Sequence, residues 1–292
     1  MIGNDIFISA MRSCGRVRIL VSEEEDEAIE FPAGPNAKYA VACDPIDGSS
    51  NLDAGVSVGT IFGIYRLADD SKGTKEDLLR PGTDLVAAGF TMYGASAQLV
   101  FAMKDGPVNG FTMDNALGEF ILTHPDMKMP KKRSIYSCNE GNSKYWDAAT
   151  KEWCDTIKNA EKPYSARYIG SMVADAYRTL LYGGIFAYPA DSKTPKGKLR
   201  ILYECGPMAM IFEQGKLHDD LFSFAQITDI SPSQPAARQS TATWHACSPS
   251  SPRASTTAAV SSLAPGTRCS SSSTSTRSTA SPFEDLNLLK NE

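Results

Sequence analysis

The chain has 292 residues, 29 of them basic and 34 acidic, for a formal net charge of −5. Hydrophobic residues at 42% and aromatics at 9% are enough to bury a core, which excludes a fibrous or wholly disordered chain, and the acidic balance excludes a strongly basic nucleic-acid binder. No apolar run approaches the roughly 20 residues that span a bilayer, so no membrane association is expected. Met1 is not followed by a secretory leader. The seven scattered cysteines lack paired metal spacing and fit a reduced, intracellular protein.

In chain order, Ile6, Phe7, Ala10 and Met11 are spaced for one face of a short helix. Arg18–Ser22 reads as a strand that runs into the acidic stretch Glu23-Glu24-Glu25-Asp26-Glu27. Lys38–Cys43 alternates and enters a turn at Asp44-Pro45. Val56–Tyr65, Leu85–Tyr93 and Gln98–Met103 read as strands. A helix opens near Ser171, which can cap it, and closes at Gly183-Gly184. Ile185–Tyr188 and Lys198–Glu204 read as strands, and Met208–Glu213 as a short helix after Pro207. Strands interleaved with helices predict a layered α/β (α+β) body over about 1–228. Residues 231–281 hold 16 serines and 8 threonines among 51 positions, with no lysine or acidic residue. Such a segment buries too little to offset its ordering entropy and is predicted to be a disordered tail.

The chemistry is carried by Asp44-Pro45-Ile46-Asp47-Gly48-Ser49-Ser50-Asn51. Two carboxylates three residues apart, stiffened by proline, can converge on one point. With a backbone carbonyl such as that of Ile46 they suit a hard cation such as Mg²⁺. The small Gly48, Ser49 and Ser50 that follow could offer backbone N–H groups to a phosphate. A solvated Asx turn is the bland alternative for such a motif. Glu23 and Glu24 lie nearest the end of the preceding strand, and Glu204 ends Leu199–Tyr203. If these join Asp44 and Asp47, their mutual repulsion demands a cation. Asn139, Arg167, Tyr168, Tyr188, Lys198 and Arg200 could hold a second phosphate.

These segments resemble the fructose-1,6-bisphosphatase family over about residues 4–214. The likeness runs through VSEE at Val21–Glu24, DPIDGSSNLDAGVSVGTIFGIY from Asp44 and NGFTMDNALGEFILTHPDMKMP from Asn109. It continues in YSCNEGNSKYWD from Tyr136 and in the long run from Tyr164 to Cys205. The short, cysteine-free stretch from Tyr65 to Gly82 is similar to the cytosolic gluconeogenic form. The resemblance implies a layered sandwich of the sugar-phosphatase type, shared with inositol monophosphatases and incomplete at both ends. Its parts would be a metal-binding domain at 1–126, a sugar-phosphate domain at 127–228 and a tail at 229–292.

The resemblance further implies hydrolysis of the 1-phosphate of fructose 1,6-bisphosphate by a cytoplasmic homotetramer. Two or three Mg²⁺, with Mn²⁺ or Zn²⁺ as alternatives, would sit on Glu23, Glu24, Asp44, Asp47, Glu204 and the Ile46 carbonyl. Glu24 and Asp47 would be the catalytic carboxylates. Gly48, Ser49 and Ser50 would hold the 1-phosphate. Asn139, Tyr168, Tyr188 and Lys198 would hold the other phosphate and the sugar, with Arg167 reaching in from a neighbouring subunit. Lys38, Tyr39 and Arg66 match part of the family's AMP site, whose N-terminal helices have no counterpart before Met1. After Gln214 the family pattern gives way to the Ser/Thr-rich tail, which reads as a change of frame. A related sedoheptulose-bisphosphate or inositol-phosphate phosphatase, or a truncated non-catalytic sugar-phosphate-binding paralogue, are the alternatives.

Overall fold

The computed structural model describes residues 2–130 and 133–215. The predicted tail therefore lies outside the described residues. An eight-stranded sheet forms the larger layer. Its strands are β1 (Val17–Ser22), β2 (Ile29–Glu30), β3 (Tyr39–Asp47), β4 (Gly59–Arg66), β5 (Leu85–Tyr93), β6 (Ala97–Met103), β7 (Val108–Asp114) and β8 (Glu119–His124). The spatial order is β2-β1-β3-β4-β5-β6-β7-β8. Only the β1–β3 pair is parallel; the other pairs are antiparallel.

Alternation along the central strands gives the sheet two apolar faces. Val41, Cys43 and Leu20 face one way, and α1 (Ile2–Cys14) covers them with Phe7, Ile8 and Met11. The helical stripe predicted through Ile6 and Ala10 is therefore rotated: Ile6 and Ala10 are exposed, and Asn4 is the buried residue. Ala40, Ala42, Ile61, Tyr65, Ala88 and Phe90 face the other way, into the main core. That core is closed by α3 (Met172–Tyr182) and α4 (Gly206–Gln214). Beyond them lies a small parallel sheet, β10-β9-β11, built from β9 (Ile135–Cys138), β10 (Ser165–Ala166) and β11 (Ile185–Ala187). Phe186 of β11 joins the main core. Tyr136, Cys138 and Ala187 pack outward on Trp146 and on Cys154 and Ile157 of α2 (Ala148–Lys158). The layers thus run helix, sheet, helices, sheet, helix, the layered sandwich expected.

Two corrections bear on the site. First, Asp44-Pro45 is not a turn: β3 continues through it to Asp47. Asp44 pairs with Ile61 and Asp47 with Gly59, so β3 carries one extra residue at Pro45-Ile46, a bulge. Without it, residues three apart would point to opposite faces; with it, both carboxylates face the same way. The turn itself falls at Gly48, whose φ of 78° leads into a 3₁₀ helix over Ser49–Ala54. Second, Lys198–Glu204 is not a strand. Ile201–Cys205 forms a π-helical turn that runs directly into α4. The β-prone Ile-Leu-Tyr composition yields there to tertiary context, because Leu202 and Tyr203 pack in the main core while Glu204 turns inward.

Candidate metal and phosphate site

Asp44, Asp47 and Glu204 come from two distant stretches, β3 and the π-helical turn, and meet with carboxylate oxygens all within 4.8 Å of one another. They are 1%, 7% and 3% exposed. Each has only partial support from the protein. Asp44 Oδ1 accepts from the Ile46 N–H at 2.9 Å, and Asp47 Oδ2 from the Val173 N–H at the start of α3 at 3.2 Å. Glu204 Oε2 accepts from the Arg200 N–H.

Burial, together with the neighbouring negative charges, pushes all three carboxyls up. Asp44 rises to about 9, by desolvation and then the charges of Glu23, Asp47 and Glu204. Glu204 rises to about 8, by desolvation and then Asp47. Asp47 rises less, to about 6, because the Val173 N–H offsets part of its burial. Buried like charges at this spacing are stable as anions only beside a cation. The donor set is oxygen alone, which fits a hard divalent ion. Arg200 supplies part of the missing charge: its guanidinium lies 2.8 Å from Glu23 Oε1 and 3.8 Å from Glu204 Oε1. Expected as a phosphate ligand, Arg200 instead bridges two acidic residues.

The acidic stretch divides. Glu23 is half-buried and joins the centre through Arg200, with its N–H on the Cys43 carbonyl. Glu24 is exposed and does not belong to the three-carboxylate cluster. Asn4 latches the turn from α1: it accepts from Ser22 Oγ at 2.8 Å and donates to Glu25 Oε1 at 2.6 Å. The bulge is fixed by Thr60, whose hydroxyl donates to the Pro45 carbonyl at 2.8 Å and lies 3.1 Å from the Tyr93 hydroxyl.

The phosphate-facing candidates adjoin this centre. Ser49 and Ser50 are exposed on the turn after Gly48. A Cβ on Gly48 would lie 3.6 Å from Ser171 Oγ, so this turn abuts the N-terminus of α3. Asn51 Nδ2 donates to the Gly170 carbonyl at 3.1 Å, tying the turn to the loop that carries Arg167 and Tyr168. Burial raises the Tyr168 hydroxyl, with Tyr188 its next largest influence and Asp47 a smaller one, so these three share one region. Asn139 caps the 3₁₀ helix over Glu140–Tyr145 by accepting from the Gly141 N–H at 3.2 Å. Arg167 is exposed, with Nη1 on the Ala166 carbonyl, and Lys198 is exposed beyond β11. At the far end of β3 and β4, Tyr39 pairs with Arg66 and the Lys38 carbonyl accepts from the Leu67 N–H. All three candidate AMP residues thus share one corner of the sheet.

Sequence reasoning missed Asn4, Thr60 and Asp175 as builders of the site. Asn4 had a signal, a lone amide on an otherwise apolar helix face. Thr60 had none, since it acts on a carbonyl fifteen residues away, and Asp175, which accepts from the Ile169 and Gly170 N–H groups just before α3, reads in sequence as an ordinary first-turn acid.

Family models for "Fructose-1-6-bisphosphatase, N-terminal domain" and "Fructose-1-6-bisphosphatase, C-terminal domain" match residues 1–125 and 129–242. The chain belongs to the fructose-1,6-bisphosphatase family. It is 56% identical over 227 residues to fructose-1,6-bisphosphatase of Saccharomyces cerevisiae, covering 75% of this chain and 65% of that one. It is 56% identical over 217 residues to the cytosolic enzyme of Oryza sativa subsp. indica, covering 73% of this chain and 64% of the other. The crystal structure of Leishmania major fructose-1,6-bisphosphatase in apo form superposes with a TM-score of 0.70 at 50% identity, over 73% of this chain and 71% of that one. The chain therefore spans about two thirds of the length of these family members. No described helix is long and apolar enough to cross a membrane.

Proposed function

We propose that the chain hydrolyses the 1-phosphate of fructose 1,6-bisphosphate to fructose 6-phosphate and inorganic phosphate. The observation that carries this reading is the convergence of Asp44, Asp47 and Glu204 within 4.8 Å, beside the turn at Gly48–Asn51. Family membership supports it.

In this reading Asp44, Asp47 and Glu204 hold divalent cations, Mg²⁺ first, with Mn²⁺ or Zn²⁺ as alternatives. Glu23, Glu24 and the Ile46 carbonyl serve from the rim. Bound there, such ions neutralise phosphoryl charge and make water more acidic. The chain's own groups do the rest. Gly48, Ser49 and Ser50, on the turn that follows Asp47, orient the 1-phosphate. Asp47 Oδ2 accepts from the Val173 N–H, which fixes the carboxylate toward the centre, and Glu24 and Asp47 are the carboxylates assigned to handling the proton of the attacking water. As the water oxygen bonds to phosphorus, the bond to the sugar oxygen breaks in line, and that oxygen takes a proton from solvent water while the carboxylate that accepted the attacking water's proton returns it to solvent. Asn139, Tyr168, Tyr188 and Lys198 hold the sugar and its second phosphate, with Arg167 supplied across a subunit boundary in a homotetramer. Lys38, Tyr39 and Arg66, which share one corner of the sheet, form part of an AMP site. The change from the larger sheet to the smaller one supports a domain boundary near residue 126. The cytosolic relatives support a cytoplasmic location.

The test is phosphate release by the purified chain from fructose 1,6-bisphosphate, sedoheptulose 1,7-bisphosphate and inositol 1-phosphate. Mg²⁺-dependent turnover that favours the first and is lost in Asp44→Asn supports the reading. Preference for another substrate redirects it, and binding without turnover points to a non-catalytic paralogue.

A further inference from the structure

Residues 165–170 are all exposed, and from Arg167 to Gly170 they lie outside any strand or helix. A short exposed segment of this kind has little of its own to fix its path, yet it carries both Arg167 and Tyr168. The Arg167 N–H donates to the Tyr136 carbonyl at 2.8 Å, and beyond it the segment is held from beneath by one side chain. Asp175, in the first turn of α3 and 0% exposed, accepts from the Ile169 N–H at 3.2 and 3.1 Å through its two oxygens. It also accepts from the Gly170 N–H at 3.1 Å. Arg178 Nη2 donates to the same carboxylate at 2.8 Å. Gly170 itself sits at φ +88°, a conformation that side chains rarely adopt. Its carbonyl receives Asn51 Nδ2 from the turn beyond Asp47.

One buried carboxylate thus grips the backbone on one side of the loop while Asn51 holds it on the other. The chemistry calls for aspartate. Two converging N–H groups and a guanidinium need a group with several lone pairs and negative charge, whereas an asparagine offers one acceptor oxygen and turns two N–H donors toward them. The negative charge also lies at the positive end of α3. The opposite end of that first turn holds Asp47 through Val173.

We propose that Asp175 is a positioning residue that sets the Arg167–Gly170 loop, and with it the affinity for the phosphate remote from the reacting one. This rests on the reading that the site takes a sugar bisphosphate. Asp175 touches neither the reacting phosphate nor the acidic centre, so its removal loosens one half of the site and spares the other. A merely structural aspartate would weaken both halves alike.

Calorimetric binding of two probes, fructose 6-phosphate and Mg²⁺ alone, separates these outcomes in the whole chain and in Asp175→Asn. Loss of hydrogen bonds to a charged group predicts about tenfold weaker fructose 6-phosphate binding, with Mg²⁺ affinity changed by less than about twofold. Turnover should show the same split, KM for fructose 1,6-bisphosphate rising about tenfold with kcat near its original value. Gly170→Ala strains the same loop at an exposed position without touching the carboxylate. It carries the test if Asp175→Asn does not fold, and it should likewise weaken fructose 6-phosphate several-fold. Equal losses for both probes, or no loss in Gly170→Ala, would overturn the assignment, as would failure of the unmodified chain to bind fructose 6-phosphate. Failure of the unmodified chain to release phosphate, with the binding split intact, would instead sink only the catalytic reading.

Discussion

Replacing Asp47 with asparagine should make the metal-free chain more stable while removing its response to Mg²⁺. Asp47 is 7% exposed and its carboxyl is raised from 3.8 to about 6, so at about pH 8 the fold carries it as a disfavoured anion. At 1.36 kcal/mol per unit, that shift corresponds to roughly 3 kcal/mol held against the folded state. The same charge is the second cause of the rise in Glu204, so neutralising it relieves a neighbour too. Asparagine keeps an oxygen for the Val173 N–H, and its amide can donate to the carboxylate oxygens within 4.8 Å. The expected gain in chelator is therefore on the order of 2–3 kcal/mol at about pH 8. The assay is urea unfolding followed by tryptophan fluorescence, for both chains, in chelator and in excess Mg²⁺. The original chain should gain strongly from Mg²⁺ and the variant hardly at all. A variant less stable than the original in chelator, or one that gains equally from Mg²⁺, would refute the reasoning.

The raised values fix a pH dependence as well. Asp47, Glu204 and Asp44 have folded values of about 6, 8 and 9, all above their unfolded ones, so between about pH 4 and pH 9 the folded chain binds more protons than the unfolded. Their contribution is complete below about pH 4 and is lost as the pH rises through the folded values; urea midpoints in chelator should register that loss, and the Mg²⁺-induced gain should grow across the same window. Arg200→Met takes away the guanidinium 2.8 Å from Glu23 and is expected to lower metal-free stability by about 2 kcal/mol. It should also enlarge the gain from Mg²⁺, since a competing cation is gone. Gly59→Ala would put a Cβ 1.9 Å from the Thr91 carbonyl oxygen and 3.1 Å from Val173, directly opposite Asp47. A loss of about 3 kcal/mol in unfolding free energy is expected, with weaker Mg²⁺ binding in whatever folds.

Much of this architecture could be read from local pattern. β1, β3, β5 and β6 have burial patterns or compositions that alternate or run apolar, and α3 is bounded by Ser171 and Gly183. β7 and β8 were not legible, because VNGFTMD and EFILTH are half-exposed and their apolar residues keep no clean period. α2 did leave a trace: Asp147 caps it by accepting from the Thr150 N–H at 2.7 Å, and Thr150, Cys154 and Ile157 recur at helical spacing. Glu204 was found as a residue and misplaced as structure, since LRILYEC has strand composition and only packing against β3 and β4 makes it a π-helical turn. Asp44 and Asp47 could be paired by the proline between them. The bulge that turns them to one face is a matter of strand register, which no local pattern displays. Glu24 and Glu23 look equivalent in sequence, and only the path of the chain after Ser22 separates the exposed one from the one that meets Arg200.

Whether Asp44, Asp47 and Glu204 form a working cation centre can be decided by titrating Mg²⁺ into the metal-free chain at about pH 7, in two buffers of different ionisation enthalpy. With Asp44 at about 9 and Glu204 at about 8 before metal arrives, binding should release about one to two protons per centre, and Glu204→Gln should reduce that release along with the affinity. Binding without proton release, or binding that Glu204→Gln leaves unchanged, would mean that the cations sit elsewhere and that these three carboxylates are not their ligands.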